Sequence, residues 1–148
     1  HIFAHAMLVS RDGALVAVRM AGHTANAGRV YFAAGSFEPA DFPDGRVDLH
    51  GNMAREVAEE TGLSIDTAPH EDRFHFLSIP IGTVLFKRYL VDLPAHQIDA
   101  EIRDHIAAET VSEIVEPVVI RGRDDLPDQL APQMLRLIAW HFDNPWKP

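Results

Sequence analysis

Apolar and polar positions alternate along this chain in two different periods. An apolar run, IFAHAMLVS (residues 2–10), is followed by the turn Arg11-Asp12-Gly13 and a second run, ALVAVRM, and the pair predicts a β-hairpin. RVYFAAG (29–35) predicts a third strand ending at Gly35. From Phe37 to Gly51 the Pro, Asp and Gly content predicts a loop, with FPDG its clearest turn. The period then changes. Leu49, Met53, Ala54, Val57 and Ala58 form a helical apolar stripe, Asp48 is placed to cap its start, and Gly62 supplies the left-handed residue that ends such a helix.

Beyond Gly62, RFHFLSI and TVLFKRYLVDL predict two strands separated by Pro80 and Gly82. Ile98, Ile102 and Ile106 give a second helix over 97–109, and EIVEPVVI a strand in which Pro117 marks an edge or a bulge. A final helix is expected over about 130–142, with Leu130, Met134, Leu137, Ile138 and His141 on its buried side. Strands and helices do not alternate as regular βαβ units. The expected class is therefore α+β, a mixed sheet with helices on both faces.

Composition narrows the function classes. At 148 residues and 47% hydrophobic content, the chain can bury one sizeable core, and its length predicts a single domain over 1–148. No run approaches the roughly 20 apolar residues of a membrane span, so no membrane partner is expected, and no signal peptide is evident. The chain begins at His1 rather than Met, which fits a start trimmed of upstream residues. The absence of cysteine excludes disulfides, thiolate metal sites and cysteine nucleophiles, and fits a cytoplasmic setting. A net charge of −9 argues against a nucleic-acid polymer as partner, because such binding relies on Lys and Arg neutralising phosphates.

The helix carries one local conflict. Glu56, Glu59 and Glu60 in REVAEETGL share a helical face within roughly a 100° arc, where like charges cost a few tenths of a kcal/mol per pair. Only Arg55 stands near to compensate them. Either the face is simply solvated, or it collects hard divalent cations, since Mg²⁺ and Mn²⁺ prefer carboxylate and carbonyl oxygens. The nine histidines contain no His-x-His pair, so they read as surface or core residues rather than ligands.

Residues 35–63 resemble the Nudix box, G-x5-E-x7-R-E-U-x-E-E-x-G-U with U aliphatic. Arg55-Glu56, Val57, Glu59-Glu60 and Gly62-Leu63 match its second half at every position. The first half departs. Gly35 to Asp41 gives G-x5-D, and thirteen residues rather than seven separate Asp41 from Arg55. An insertion around FPDGRV accounts for the six extra, because doubling a loop costs only about 0.6 kcal/mol of closure entropy. Asp48 is the alternative acidic candidate.

The resemblance implies an α/β/α sandwich and hydrolysis of a nucleoside diphosphate linked to another moiety (ADP-ribose, a nucleotide sugar or an NTP), with Mg²⁺ or Mn²⁺ as cofactor. It implies Glu59 and Glu60 as metal ligands, Glu56 as ligand or base, the Ala34 carbonyl as a further metal oxygen, and Arg55 as the residue that orients the glutamates. A further glutamate from a distant loop often completes such sites; Glu109 and Glu113 are available here and Glu113 is preferred. For the substrate, Arg19, Arg29 and Arg88 are candidate anion ligands, Tyr31 and Phe32 candidate stacking rings with Phe32 the better core residue, and Glu38 a further contact. A homodimer is compatible with the sequence. A nucleotide-sensing module that has lost catalysis is the alternative, although such loss ordinarily damages the glutamates, and here the helix is complete. An isomerase acting on isopentenyl diphosphate would need a cysteine that the chain lacks.

Overall fold

The computed structural model describes residues 1–147. One six-stranded mixed sheet runs through it, built from β1 (Ile2–Ser10), β2 (Leu15–Met20), β3 (Val30–Tyr31), β4 (His75–Ile79), β5 (Gly82–Val91) and β6 (Ile114–Ile120). Along the main path the order is β3-β2-β1-β5-β4, and β6 pairs with β2 as well. The helices are α1 (Leu49–Thr61), α2 (Ala95–Ala108) and α3 (Met134–Asp143).

β1 is central because it is apolar on both faces. Ala4, Ala6 and Leu8 face one core with Met53 and Val57 of α1 and with Ile98 and Ile102 of α2. Met7 and Val9, pointing the other way, join Met134, Leu137 and Ile138 of α3. The period of two along the strand thus feeds two cores, and the result is an α/β/α sandwich. β1 pairs with β5 in parallel from Ile2↔Thr83 to Ser10↔Val91.

β2 stays beside β1 only at Leu15 and Val16. Farther along it carries β3 through Val18↔Tyr31 and Arg19↔Val30, and β6 on its other side. Where β1 and β2 separate, the segment after β3 enters, and the Ala6 N–H donates to the Ala33 carbonyl at 3.3 Å. This wedge delivers Ala34 and Gly35 to the flank of α1. Pro117, which lacks an N–H, is tolerated because β6 pairs only with β2, whose register shifts between Arg19 and Met20.

Several boundaries differ from the sequence reading. β3 stops at Tyr31 rather than Gly35, since Ala33 turns to β1. Leu130 and Ala131 are not helical: Leu130 bridges Val30 and the Ala131 N–H donates to the Val30 carbonyl at 3.0 Å, so α3 starts at Met134. Ala58 is exposed, which narrows the buried stripe of α1 to Met53, Ala54 and Val57. The caps of α1 are as the sequence predicts: Asp48 accepts from the Gly51 N–H at 2.9 Å, and Gly62 takes a left-handed φ of 72°.

Candidate active site

The carboxylate helix presents its acids unequally. Glu56 and Glu60 are each only 7% exposed, whereas the Glu59 side chain is 60% exposed. Burial follows from the wedge, because Gly35 lies directly against Glu56. A Cβ at Gly35 would collide with the Glu56 carboxylate, so any other residue there would have to displace that side chain.

Arg55 is the hub of the local charge network. Its Nη2–H donates to Asp41 Oδ2 at 3.1 Å and to the Ser36 carbonyl at 3.2 Å, and Nη1 lies 2.7 Å from Glu56 Oε1 and 3.1 Å from Glu59 Oε2. Burial alone would lower the guanidinium's pKa; Asp41, Glu56 and Glu59 outweigh that and raise it. Asp41 also accepts from the Glu38 N–H at 2.7 Å and from Asn52 Nδ2 at 3.0 Å. Burial raises its pKa, but these hydrogen bonds and Arg55 outweigh it and hold the carboxyl below its ordinary range.

The two buried glutamates move the other way. Burial pushes Glu56 up to about 7, helped by Glu59 and opposed by Arg55. Glu60 is pushed up to about 8 by burial and by Glu56 and Glu113, with the Ala34 backbone amide offsetting part of it. Glu60 Oε2 is buried and has no hydrogen-bond partner. Among the described residues, no three acidic or histidine side chains already converge at metal-ligating distance. Glu56 and Glu59 instead lean on Arg55, the nearest positive charge. An unpartnered buried oxygen, with Glu56 and Glu113 raising its pKa, is what a hard cation would relieve, and the all-oxygen donor set suits Mg²⁺ or Mn²⁺.

A cavity of about 550 Å³ gathers these groups. Ala34, Glu38, Arg55, Glu56, Glu59, Glu60, Glu109 and Glu113 all line it, as does Tyr31. Burial and the Glu60 charge push the Tyr31 hydroxyl up to about 12, keeping it a neutral donor. A second cavity of about 910 Å³ shares Asn26, Tyr31, Ala34, Gly35 and Ser36 with the first and so continues from it. Arg29 lines this second cavity.

Two candidate anion ligands lie elsewhere. Arg19 pairs with Glu116 at 2.8 Å and Asp128 at 3.1 Å and lines neither cavity. Arg88 is buried against Glu71 at 2.5 Å and stacks on Trp140. Both have structural partners that sequence spacing does not reveal. Phe32 is fully buried in the core. Sequence reading passed over Asn52, His5, Gln133 and Arg136. Asn52 braces Asp41 from inside α1, and the other three line the second cavity. Asn52 lies three residues before Arg55, the one hint that it shares the same helical face.

By sequence, no family model matches the chain and no curated protein matches it. By structure the likeness is broad. The MutT protein from Methanosarcina mazei Go1 superimposes with a TM-score of 0.60 at 17% identity, over 96% of this chain and 91% of that one. A C. elegans Ap4A hydrolase gives 0.64 at 11% identity, over 93% of each chain. The Nudix domain of Shewanella oneidensis NrtR, solved with ADP ribose, gives 0.57 at 13%, over 93% of this chain and 83% of that one. The shared architecture extends across almost the whole chain, sheet and helices together, and with the box residues gathered around one cavity it identifies the fold: this chain is an α+β protein with the Nudix fold.

Proposed function

We propose that the chain is a pyrophosphohydrolase dependent on Mg²⁺ or Mn²⁺, cleaving a nucleoside diphosphate linked to another moiety. The observation that carries this reading is Glu60: a carboxylate buried beside Glu56, with one oxygen unpartnered and no ion pair among the described residues. Nothing in folding rewards that arrangement, since burying a carboxyl group with an unpartnered oxygen is costly whether it is charged or protonated. A ligand that brings positive charge does.

Glu60, Glu59 and Glu56 would hold the metal, with the Ala34 carbonyl as a further oxygen donor. When bound, such an ion screens the diphosphate, polarises a P–O bond and lowers the pKa of water. Arg55 fixes the glutamates: anchored to Asp41 and the Ser36 carbonyl, it sets the side-chain positions of Glu56 and Glu59. Glu56, pushed up to about 7, is suited to accept a proton from attacking water near neutral pH. Glu113, on the exposed rim opposite, is the other candidate base. Tyr31 and Arg29 line the continuing cavity and would contact the substrate beyond the diphosphate, and Glu38 sits at the rim.

The direct test is product release from a set of nucleoside diphosphate derivatives with Mg²⁺ or Mn²⁺, in parallel with Glu56→Gln and Glu113→Gln. The base variant should lose most of kcat with little change in KM. Tight binding of a diphosphate compound without turnover of any would replace the catalytic reading with a sensing one.

A further inference from the structure

The larger cavity is not charged like the rest of the protein. Most arginines are held in ion pairs, Arg11, Arg19, Arg55, Arg103, Arg121 and Arg123 among them. Among the described residues, Arg29, Arg46, Arg73 and Arg136 form none, and two of these four line the same cavity. Their meeting is a product of the fold. The segment before α3 lies against β3 through the Val30↔Leu130 bridge and the Ala131 N–H to the Val30 carbonyl, so Arg29, one residue before Val30, and Arg136, in the first turn of α3, come to line one cavity.

In a chain of net charge −9, leaving two guanidiniums unpaired along one cavity costs nothing in desolvation, because both are exposed, and it concentrates positive potential locally. The adjoining cavity carries the opposite charge in Glu56, Glu59, Glu60, Glu109 and Glu113. A ligand spanning both would place metal-bound phosphates at the acidic end and meet bare guanidinium at the other. Guanidinium forks match phosphate oxygens bidentately.

We infer that the substrate carries a second phosphate group, remote from the scissile diphosphate, which Arg29 and Arg136 grip at the mouth of the larger cavity. This rests on the hydrolase reading above and narrows it: derivatives ending in a neutral sugar bring neither arginine a negative charge to pair with. Between the two ends, Tyr31 and Phe37 line the passage as ring surfaces, and Asn26 and Gln133 offer amides.

The test uses pairs of compounds that share a diphosphate and differ by one phosphate remote from it: coenzyme A against dephospho-coenzyme A, and NADPH against NADH. Affinity is measured by calorimetry for the full chain and for the Arg29→Gln/Arg136→Gln double variant, and turnover is followed separately with Mg²⁺ or Mn²⁺. In at least one pair the phosphate-rich member should bind tenfold or more tightly, and the ratio should collapse to about one in the double variant. Both arginines are exposed and without ion pairs, so the variant should melt with the parent. Equal affinities in every pair, or a preference that survives the double variant, overturn the inference. A preference lost in the variant, without turnover of any compound, upholds the phosphate grip and removes only the hydrolase reading.

Discussion

Asp41 Oδ2 accepts a hydrogen bond from Arg55 Nη2 at 3.1 Å across a loop six residues longer than the Nudix pattern allows. Asp41, the acid that the spacing from Gly35 singles out, is therefore in contact with Arg55 despite the longer loop. The loop explains how: the Asp48 N–H donates to the Asp41 carbonyl at 2.7 Å, so residues 42–47 leave and return at one point.

Removing this anchor should cost stability as well as activity. Asp41 is 5% exposed and accepts from Arg55, Asn52 and the Glu38 N–H, so Asp41→Ala strands three donors. A loss of about 2–4 kcal/mol is expected in urea unfolding, at the level of a broken, partly buried ion pair. Asp41→Asn, which keeps an acceptor, should lose less. Equal stability of parent and Asp41→Ala would show that Arg55 is held without it.

The metal site has a signature in stability. Mg²⁺ or Mn²⁺ should raise Tm by binding the folded state alone, and Glu59→Gln with Glu60→Gln should abolish the rise. Without metal, Glu60→Gln on its own should melt higher than the parent, since it removes a buried carboxylate with an unpartnered oxygen. A metal-dependent rise unchanged in the double variant would move the site off α1.

Deleting residues 43–47 tests the loop. Its ends already meet at Asp41 and Asp48, and Pro43, Asp44, Gly45, Arg46 and Val47 are all exposed. The shortened chain should fold and keep its metal-dependent rise in Tm, because the glutamates sit on α1 and Arg55 keeps Asp41. Substrate range is the property expected to change. Loss of the metal response would show that the loop shapes the acidic cavity itself.

Acid should destabilise the protein partly through His141, 8% exposed in α3 and held down to about 4 by burial and by Arg88, with Glu71 opposing. Its ordinary value is 6.5, so between pH 6.5 and 4 the unfolded chain binds a proton that the folded chain refuses. The stability contribution is whole above pH 6.5 and lost on descending to 4. At ~1.4 kcal/mol per pH unit, this reaches up to about 3 kcal/mol. His141→Gln should flatten the Tm profile in that window, and an unchanged profile would assign the acid sensitivity to other groups, such as the fully buried His5.

What the sequence revealed was local. The extent of α1 follows from one apolar stripe, an Asp at its start and a Gly at its end, all within fifteen residues. Leu130 shows where local reasoning fails: it has helical spacing to Met134 and Leu137, but an available backbone partner at Val30 draws it into a bridge. The partners of Arg19 are hidden for the same reason at longer range, since Glu116 and Asp128 stand about a hundred residues away. The second cavity, assembled from β1, the β3 flank and the start of α3, has no local signal at all. The box was legible because its glutamates, arginine and glycine lie on one helix. The phosphate grip was not, because its two arginines meet only after the sheet forms.

The parallel pairing of β1 with β5 also governs how the chain folds. Each of nine residues in the first strand finds its partner about eighty positions later. During synthesis β1 emerges before β5, apolar on both faces, and must wait for it with the β2 hairpin, the Ala33 segment and α1 as its partial cover. Closing so long a loop before any reward is slow, and a bare strand of this kind invites pairing with other chains in the interval. Refolding yield should therefore fall with rising protein concentration, and the aggregates should be built on Ile2–Ser10.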